Sequence, residues 1–393
     1  MDMEIIADFW IAQIVGIGPV GKQILLEIFG SILSLFLSSS DEVRTLISKY
    51  RFGFIMKHDD AQINIHDYMG YNIEEKPKKR KYNITAAVVC RLADPSGRMS
   101  IIKEYKRVQK KEVRFITKKD AEYPKRLLDI FDPPEQLFVL GRLPEPDQKA
   151  IGIVGARECT PYGRDMARLF GYRLARAGMA VISGMAKGVD GWSHRGALEA
   201  GGDTFAVLGC GVEVVYPLCN EKLYHDIKDK GGLISEYPST YGALSQNFPM
   251  RNRIISGLSD GILLIEARQR SGSLITVDQA LEQGKDVFVI PGRIGDELSV
   301  GCNRLIRQGA IPVISPDDIL EFYHIKSPDQ SDDLPGLSSE EASILAMIGT
   351  NPISLAAIAA SAQGTYANTL RVVMRLKKNR YIRESSRDHF IRV

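Results

Sequence analysis

Residues 151–217 read IGIVGARECTPYGRDMARLFGYRLARAGMAVISGMAKGVDGWSHRGALEAGGDTFAVLGCGVEVVYP, and this stretch decides the fold. Short apolar runs bounded by Gly or Pro alternate with longer segments of helical spacing. Ile151–Val154, Ala180–Ile182 and Phe205–Leu208 read as buried strands, and the residues at 162–177 and 188–200 as amphipathic helices. The pattern continues downstream. Gly232–Ile234, Gly261–Ile265 and Val287–Ile290 read as strands, and 221–230, 253–258 and 274–283 as helices. Such alternation predicts an α/β fold, a mostly parallel sheet with helices on both faces.

Each predicted strand is followed by small or polar residues: Gly155-Ala156-Arg157, Ser183-Gly184, Gly209-Cys210-Gly211, Pro291-Gly292. Ligands of open α/β sheets bind at the carboxyl ends of the strands. Glycine lets a ligand approach the backbone, and helix N-termini attract anions. These loops therefore predict anion recognition, of phosphates first. The guanidinium fork of Arg157 suits a phosphate, with a structural ion pair as the alternative. Ser183 and Gly184 offer a hydroxyl and an amide, and Lys187 a charge. Asp190 and His194, four apart, share one helix face, and the expectation is a histidine oriented by the aspartate to shape the pocket. Arg251-Asn252-Arg253 is expected to open a helix after Pro249 and to face phosphate or base; the alternative is a salt-bridge cluster with Glu236 and Glu266. Ser271-Gly272 opens a helix with free N–H groups. Lys222 is expected near a departing strand of ligand, and Pro291-Gly292 in a turn lining the same pocket.

Several classes are excluded by what is missing. The chain has no Gly-x-x-x-x-Gly-Lys-Ser/Thr loop, and its first strand carries Gly152-x-x-Gly155 in place of the dinucleotide fingerprint. No metal-ligand spacing occurs, so neither a metal nor a cofactor is expected. The five cysteines are scattered, and with an acidic start and no apolar run of membrane length a reduced, cytoplasmic protein is the expectation, with no membrane partner.

The 393 residues carry a net charge of only +3, but the charge is uneven. Residues 76–119 hold 15 Lys+Arg against 3 Asp+Glu, and residues 371–393 hold 8 against 2. Such stretches suit nucleic acid, and equally a solvated face. Residues 1–75 are predicted to form a helical domain, in which Gly16-Ile17-Gly18-Pro19 resembles a helix-hairpin-helix turn. That turn either offers amides to DNA or packs on the central domain. Residues 76–111 are expected to be a basic connector, with 84–94 as a strand pair or buried segment. In the central domain, 112–320, a helix is expected before Asp132-Pro133-Pro134 and an edge strand at Gln136–Leu140. An acidic linker at 321–336 precedes three short helices and a hairpin over 337–393. There Arg371, Arg375, Lys377 and Lys378 would suit duplex contact, or the small domain would dock a protein.

The runs VGARECTPYG, SGMAKGVDGWSHRGAL, VLGCGVEVVYP, LISEYP, FPMRNRIISGLSDGILLIEA, RSGSLITVDQALEQGKDVFVIPG and CNRLIRQGA together resemble the DprA/Smf family of DNA-processing proteins, and they span 151–310 almost without a gap. Two places depart from the family pattern: the 59–111 region is longer and more basic, and Lys187 stands where many relatives carry Arg. The resemblance implies an extended Rossmann-like domain between a helix-hairpin-helix/SAM-like start and a winged-helix end. It implies a non-enzymatic protein that binds single-stranded DNA, forms a homodimer and helps load the RecA recombinase in natural transformation and homologous recombination, with a single-strand-binding protein as a further partner. A second reading is a nucleotide-processing enzyme like the lysine-decarboxylase-like phosphoribohydrolases. Their PGGxGTxxE signature is replaced here by PGRIGDELSVG at 291–301.

Overall fold

A computed structural model describes residues 2–49 (apart from 15 and 18), 84–327, and 338–392 apart from 350, 363, 379 and 380. The described residues divide into two compact units, one within Met1–Ile319 and the other within Leu320–Val393.

Among the described residues of the first unit, nine strands form one sheet: β1 Val113–Thr117, β2 Gln136–Gly141, β3 Ala150–Val154, β4 Ala180–Ser183, β5 Thr204–Val207, β6 Gly232–Ser235, β7 Gly261–Leu264, β8 Asp286–Val289 and β9 Ile311–Pro312. Their order is β1-β2-β6-β5-β4-β3-β7-β8-β9; the seven strands from β6 to the β9 edge are parallel, β2 is antiparallel to β6, and β1 is antiparallel to β2. The expected mostly parallel α/β sheet is borne out. Every residue of β3 to β7 is buried, because helices cover both faces and the usual polar alternation is lost. On one face Val154, Ile182, Val207 and Leu264 pack with Ile254, Ile255 and Val277 of the helices Asn247–Leu258 and Gly272–Glu282.

Three expectations change. Gln136–Leu140 is not the edge: β1 lies outside it, paired from Val113↔Leu140 to Thr117↔Gln136. The helix before the prolines is only a 3-10 turn at Lys125–Leu127, because Leu127 and Ile130 plug the core and Tyr123 Oη closes the loop onto the Pro134 carbonyl at 2.6 Å. Over 84–94 the buried segment holds and the strand pair does not, and residues 84–110 do not string out as a connector. They form the helices Ala86–Leu92 and Pro95–Lys110, started by Thr85, which accepts from the Val88 amide, and by Asp94, which accepts from the Ser96 amide with Pro95 in the first turn. Val88, Leu92, Ile101 and Val108 share a core with Phe9, Trp10 and Leu35 of the N-terminal helices, with Phe138 of β2 and with Leu208 just after β5. The 76–81 basic run lies outside the described residues.

Around Gly16, whose φ is +104°, the chain turns between the helices Met3–Ala12 and Pro19–Phe29. Lys22, just after the turn, pairs with Glu135 at 3.0 Å, and Ile14 and Ile17 face Asp132–Glu135 across a small cavity of about 220 Å³. The turn thus packs on the sheet domain, the structural alternative to DNA contact.

The second unit holds the helices Ser339–Met347, Leu355–Ser361 and Tyr366–Lys378 and a sheet in the order β10 Ile353–Ser354, β12 His389–Arg392, β11 Ile382–Ser386. Its core is Leu345, Leu355, Val373, Leu376 and Phe390.

Candidate functional site

A groove of about 490 Å³ opens at the carboxyl ends of β3 and β7, where the strand order reverses direction from the first strand of the parallel set. Its wall after β3 is Gly155, Ala156 and Arg157. The wall after β7 is Arg268, Arg270, Ser271 and Gly272. Phe248, Arg251 and Asn252 of the helix Asn247–Leu258 close its floor, with Asp190 behind them. Among the described residues its charges are four arginines against Glu158 and Asp190.

The arginines differ in availability. Arg157 is exposed, lies over the Phe248 ring at 5.6 Å and has no ion pair among the described residues. Among the described residues Arg270 is likewise exposed and unpaired, and Arg268 holds only an exposed contact with Glu297 at 3.5 Å. Beside them, the helix Gly272–Glu282 begins with Ser271, whose hydroxyl accepts from the Ser273 amide. The remaining first-turn amides face an anion-attracting end. Arg268, Arg270 and Phe248 were missed in the sequence. The signal was present: two arginines between a strand end and a serine cap.

Arg251 is different. It is 4% exposed, and its Nη1 donates to the Gly184 carbonyl at 2.9 Å and to the Val207 carbonyl. Burial lowers its guanidinium to about 10, against the opposing pull of Asp190, so it stays charged at neutral pH. The helix starts at Asn247, not after Pro249, because proline is tolerated in a first turn whose N–H groups have no intrahelical partner. Arg251 therefore sits in the second turn and points inward. Asn252 lines the groove and accepts from Arg251 Nε at 3.2 Å. Arg253 leaves the set: it grips Glu236 bidentately at 2.8 and 2.7 Å and donates to the Asp132 carbonyl. Glu266 is not part of that cluster; it takes the Thr160 amide at 2.8 Å.

The strand-end glycines serve the protein's own packing. A Cβ on Gly184 would lie 2.5 Å from the Arg251 guanidinium, and one on Gly209 2.7 Å from the Phe248 ring. The Gly184 amide donates to Asp190 at 3.2 Å, and the Ser183 hydroxyl to the Ile153 carbonyl at 2.6 Å. Neither is left for a ligand. Lys187 is exposed and, among the described residues, unpaired, next to groove-lining Ala186. Lys222 does not line the groove and is paired with Asp226 at 2.8 Å. Pro291-Gly292 also lies outside it, since Gly292 exchanges both backbone bonds with the Asn303 amide group.

Asp190 and His194 do not act as a pair. Asp190 accepts from the Gly184 and Ala186 amides, and burial raises its carboxyl above the usual range while Arg251 counters that rise. His194, fully buried, instead meets Thr204 through Nδ1 at 2.6 Å. The Thr204 hydroxyl donates to the Val181 carbonyl, so Nδ1 carries the proton. Burial holds this imidazole down to about 3, and it is neutral in the folded state. Below its ordinary 6.5 the unfolded chain gains a proton that the folded chain refuses until about 3. Stability contributed by neutral His194 is therefore lost as pH falls through that window, with a slope of up to about 1.4 kcal/mol per pH unit. His194→Gln is expected to flatten the acid limb of a stability-against-pH curve. Parallel curves for variant and parent would contradict this.

In the second unit, Arg371 and Lys378 are exposed, whereas Arg375 pairs with Glu341 at 3.2 Å and Lys377 with Glu384. Among the described residues no group of His, Cys, Asp and Glu could hold a metal ion, and no helix is long and apolar enough to cross a membrane.

The family model for DNA recombination-mediator protein A matches residues 114–324. Protein Smf of Escherichia coli (strain K12) is 46% identical over 204 residues, 51% of this chain and 54% of that protein, so the chain spans about half of that relative's length. DNA processing protein DprA of Bacillus subtilis (strain 168) is 41% identical over 201 residues, 51% of this chain and 68% of the relative. The X-ray structure of DNA processing protein A (DprA) from Streptococcus pneumoniae superposes with a TM-score of 0.53 at 35% identity, over 63% of this chain and 88% of that one.

Proposed function

We propose, for a chain that belongs to the DNA recombination-mediator protein A family, that the groove at the carboxyl ends of β3 and β7 binds single-stranded DNA and that the protein works as a recombination mediator without chemistry of its own. The observation that carries this reading is the set of exposed arginines, Arg157, Arg268 and Arg270, around a free helix N-terminus and the half-buried Phe248 ring. The guanidinium forks suit phosphates, and an aromatic ring beside them suits an unpaired base. A duplex offers no such base. The names of the relatives, DNA processing proteins, support the same class of ligand. Lys187, at the groove's edge, extends the cationic track. RecA, a single-strand-binding protein and a second copy of the chain belong to this proposal as partners. A dimer would lengthen the track and raise avidity without new contacts.

The test is a gel-shift series with single-stranded and duplex oligonucleotides over a range of salt. The reading expects preference for the single strand and a steep loss with salt, because bound phosphates release counterions. Equal affinity for both would overturn the single-strand reading, and release of base from nucleoside monophosphates would favour the enzyme reading.

The second unit adds a weaker duplex contact in this proposal. Arg371 and Lys378 are a helix-face distance apart on Tyr366–Lys378, while Arg375 and Lys377 are held by carboxylates. Removing 337–393 is expected to weaken binding to single-strand/duplex junctions more than to short single strands. Identical junction affinity and salt slope would assign that unit to protein docking instead.

A further inference from the structure

The helices Pro161–Arg176 and Val189–Glu199 each follow a strand, β3 and β4, by a short loop. Their first turns therefore stand at the same end of the sheet as the groove. The fourth residue of each is Arg164 and Trp192. Trp192 is half-buried, with the guanidinium of Arg195 at 4.8 Å from its ring and that of Arg164 at 5.7 Å. The groove has the same composition one loop away: Phe248, with Arg157 at 5.6 Å and Arg251 at 5.9 Å. The connecting loop carries Ala186, which lines the groove, and exposed Lys187.

The two guanidiniums on Trp192 are not equivalent. Arg195 is half-buried and donates to Asn220 Oδ1 at 3.0 Å, and Asn220 Nδ2 in turn holds the carbonyls of Met185 and Ala186 at 3.0 and 3.1 Å. This chain of bonds ties the ring to the Lys187 loop. Among the described residues Arg164 has as its ion-pair partner only its sequence neighbour, Asp165, at 2.9 Å. One arginine is thus fixed under the ring, and the other can leave it.

We propose that Trp192 is a second base-stacking step, which takes a base of the single strand where the strand leaves the groove past Lys187. This inference rests on the groove reading above. Every base has a π-face, so stacking on Trp192 needs no particular sequence. Arg164 swings from the ring to the phosphate of the stacked nucleotide, and Arg195 stays in place as the ring's support.

The sequence contains two tryptophans, and the other, Trp10, is 3% exposed and packed edge-on against Phe36. Trp10 adds a constant background, so a DNA-dependent change in tryptophan fluorescence of the full chain reports Trp192. Oligo(dT) of increasing length is titrated into the protein, and binding is measured in parallel by anisotropy of a labelled strand. Short oligonucleotides that only fill the groove should bind without quenching; longer ones should bind and quench. Trp192→Ala should lose about tenfold in affinity for the long strands and little for the short ones. Trp192→Phe should restore most of that loss while removing the quench. Long strands that bind the parent chain with no quench, or an Ala variant with undiminished long-strand affinity, would overturn the proposal. If strands of no length bind, the groove reading falls first and the Trp192 step with it.

Discussion

Arg251→Ala is expected to lower the midpoint of urea unfolding by the equivalent of about 3–5 kcal/mol, the cost of removing one partner from a buried ionic set. The substitution strips donors from the Gly184 and Val207 carbonyls and leaves the Asp190 carboxyl buried without its cation. Lysine should not rescue it, because a single ammonium on a shorter stem cannot reproduce a planar fork. Adding Asp190→Asn to Arg251→Ala should recover part of the loss, since the uncompensated charge is then gone. DNA affinity should fall in Arg251→Ala only as folded protein is lost. A variant that melts like the parent chain yet binds DNA poorly would make Arg251 a direct ligand residue, the role expected from sequence alone.

Arg157→Ala combined with Arg270→Ala should give the opposite profile. Both side chains are exposed and carry no ion pair among the described residues, so melting should not change. Each removes a cation from the groove wall, and two lost phosphate contacts should lower the slope of log affinity against log salt by about 1.4 for a single strand. Affinity should fall by roughly ten- to a hundredfold at low salt, from two solvent-exposed contacts worth about 0.7–1.4 kcal/mol each. Unchanged affinity and slope in a folded double variant would remove the groove as the DNA site. The two variants together separate a residue that holds the loops in place from residues that meet the ligand.

The parallel sheet was legible in the chain because its strands are apolar on both faces. A run such as Ile151–Val154, closed by Gly155, leaves few alternatives to a buried strand. The site's place was legible for a related reason: ligands of open α/β sheets gather where strands end, and the polar residues gather there too. Which of those polar residues stay free is a different matter. Arg157, Arg251 and Arg253 look alike as letters, yet one lies open on Phe248, one is buried against two carbonyls, and one is clamped by Glu236. Burial and pairing depend on residues far along the chain, such as Val207 for Arg251 and Asp132 for Arg253. The same holds for Gly184 and Gly209, whose missing side chains make room for Arg251 and Phe248. Local pattern determined the strands, the helices and the end of the sheet at which the chemistry lies. Only tertiary contact decided which cations remain unpaired and face solvent, because a charge is neutralised by whatever the fold brings beside it.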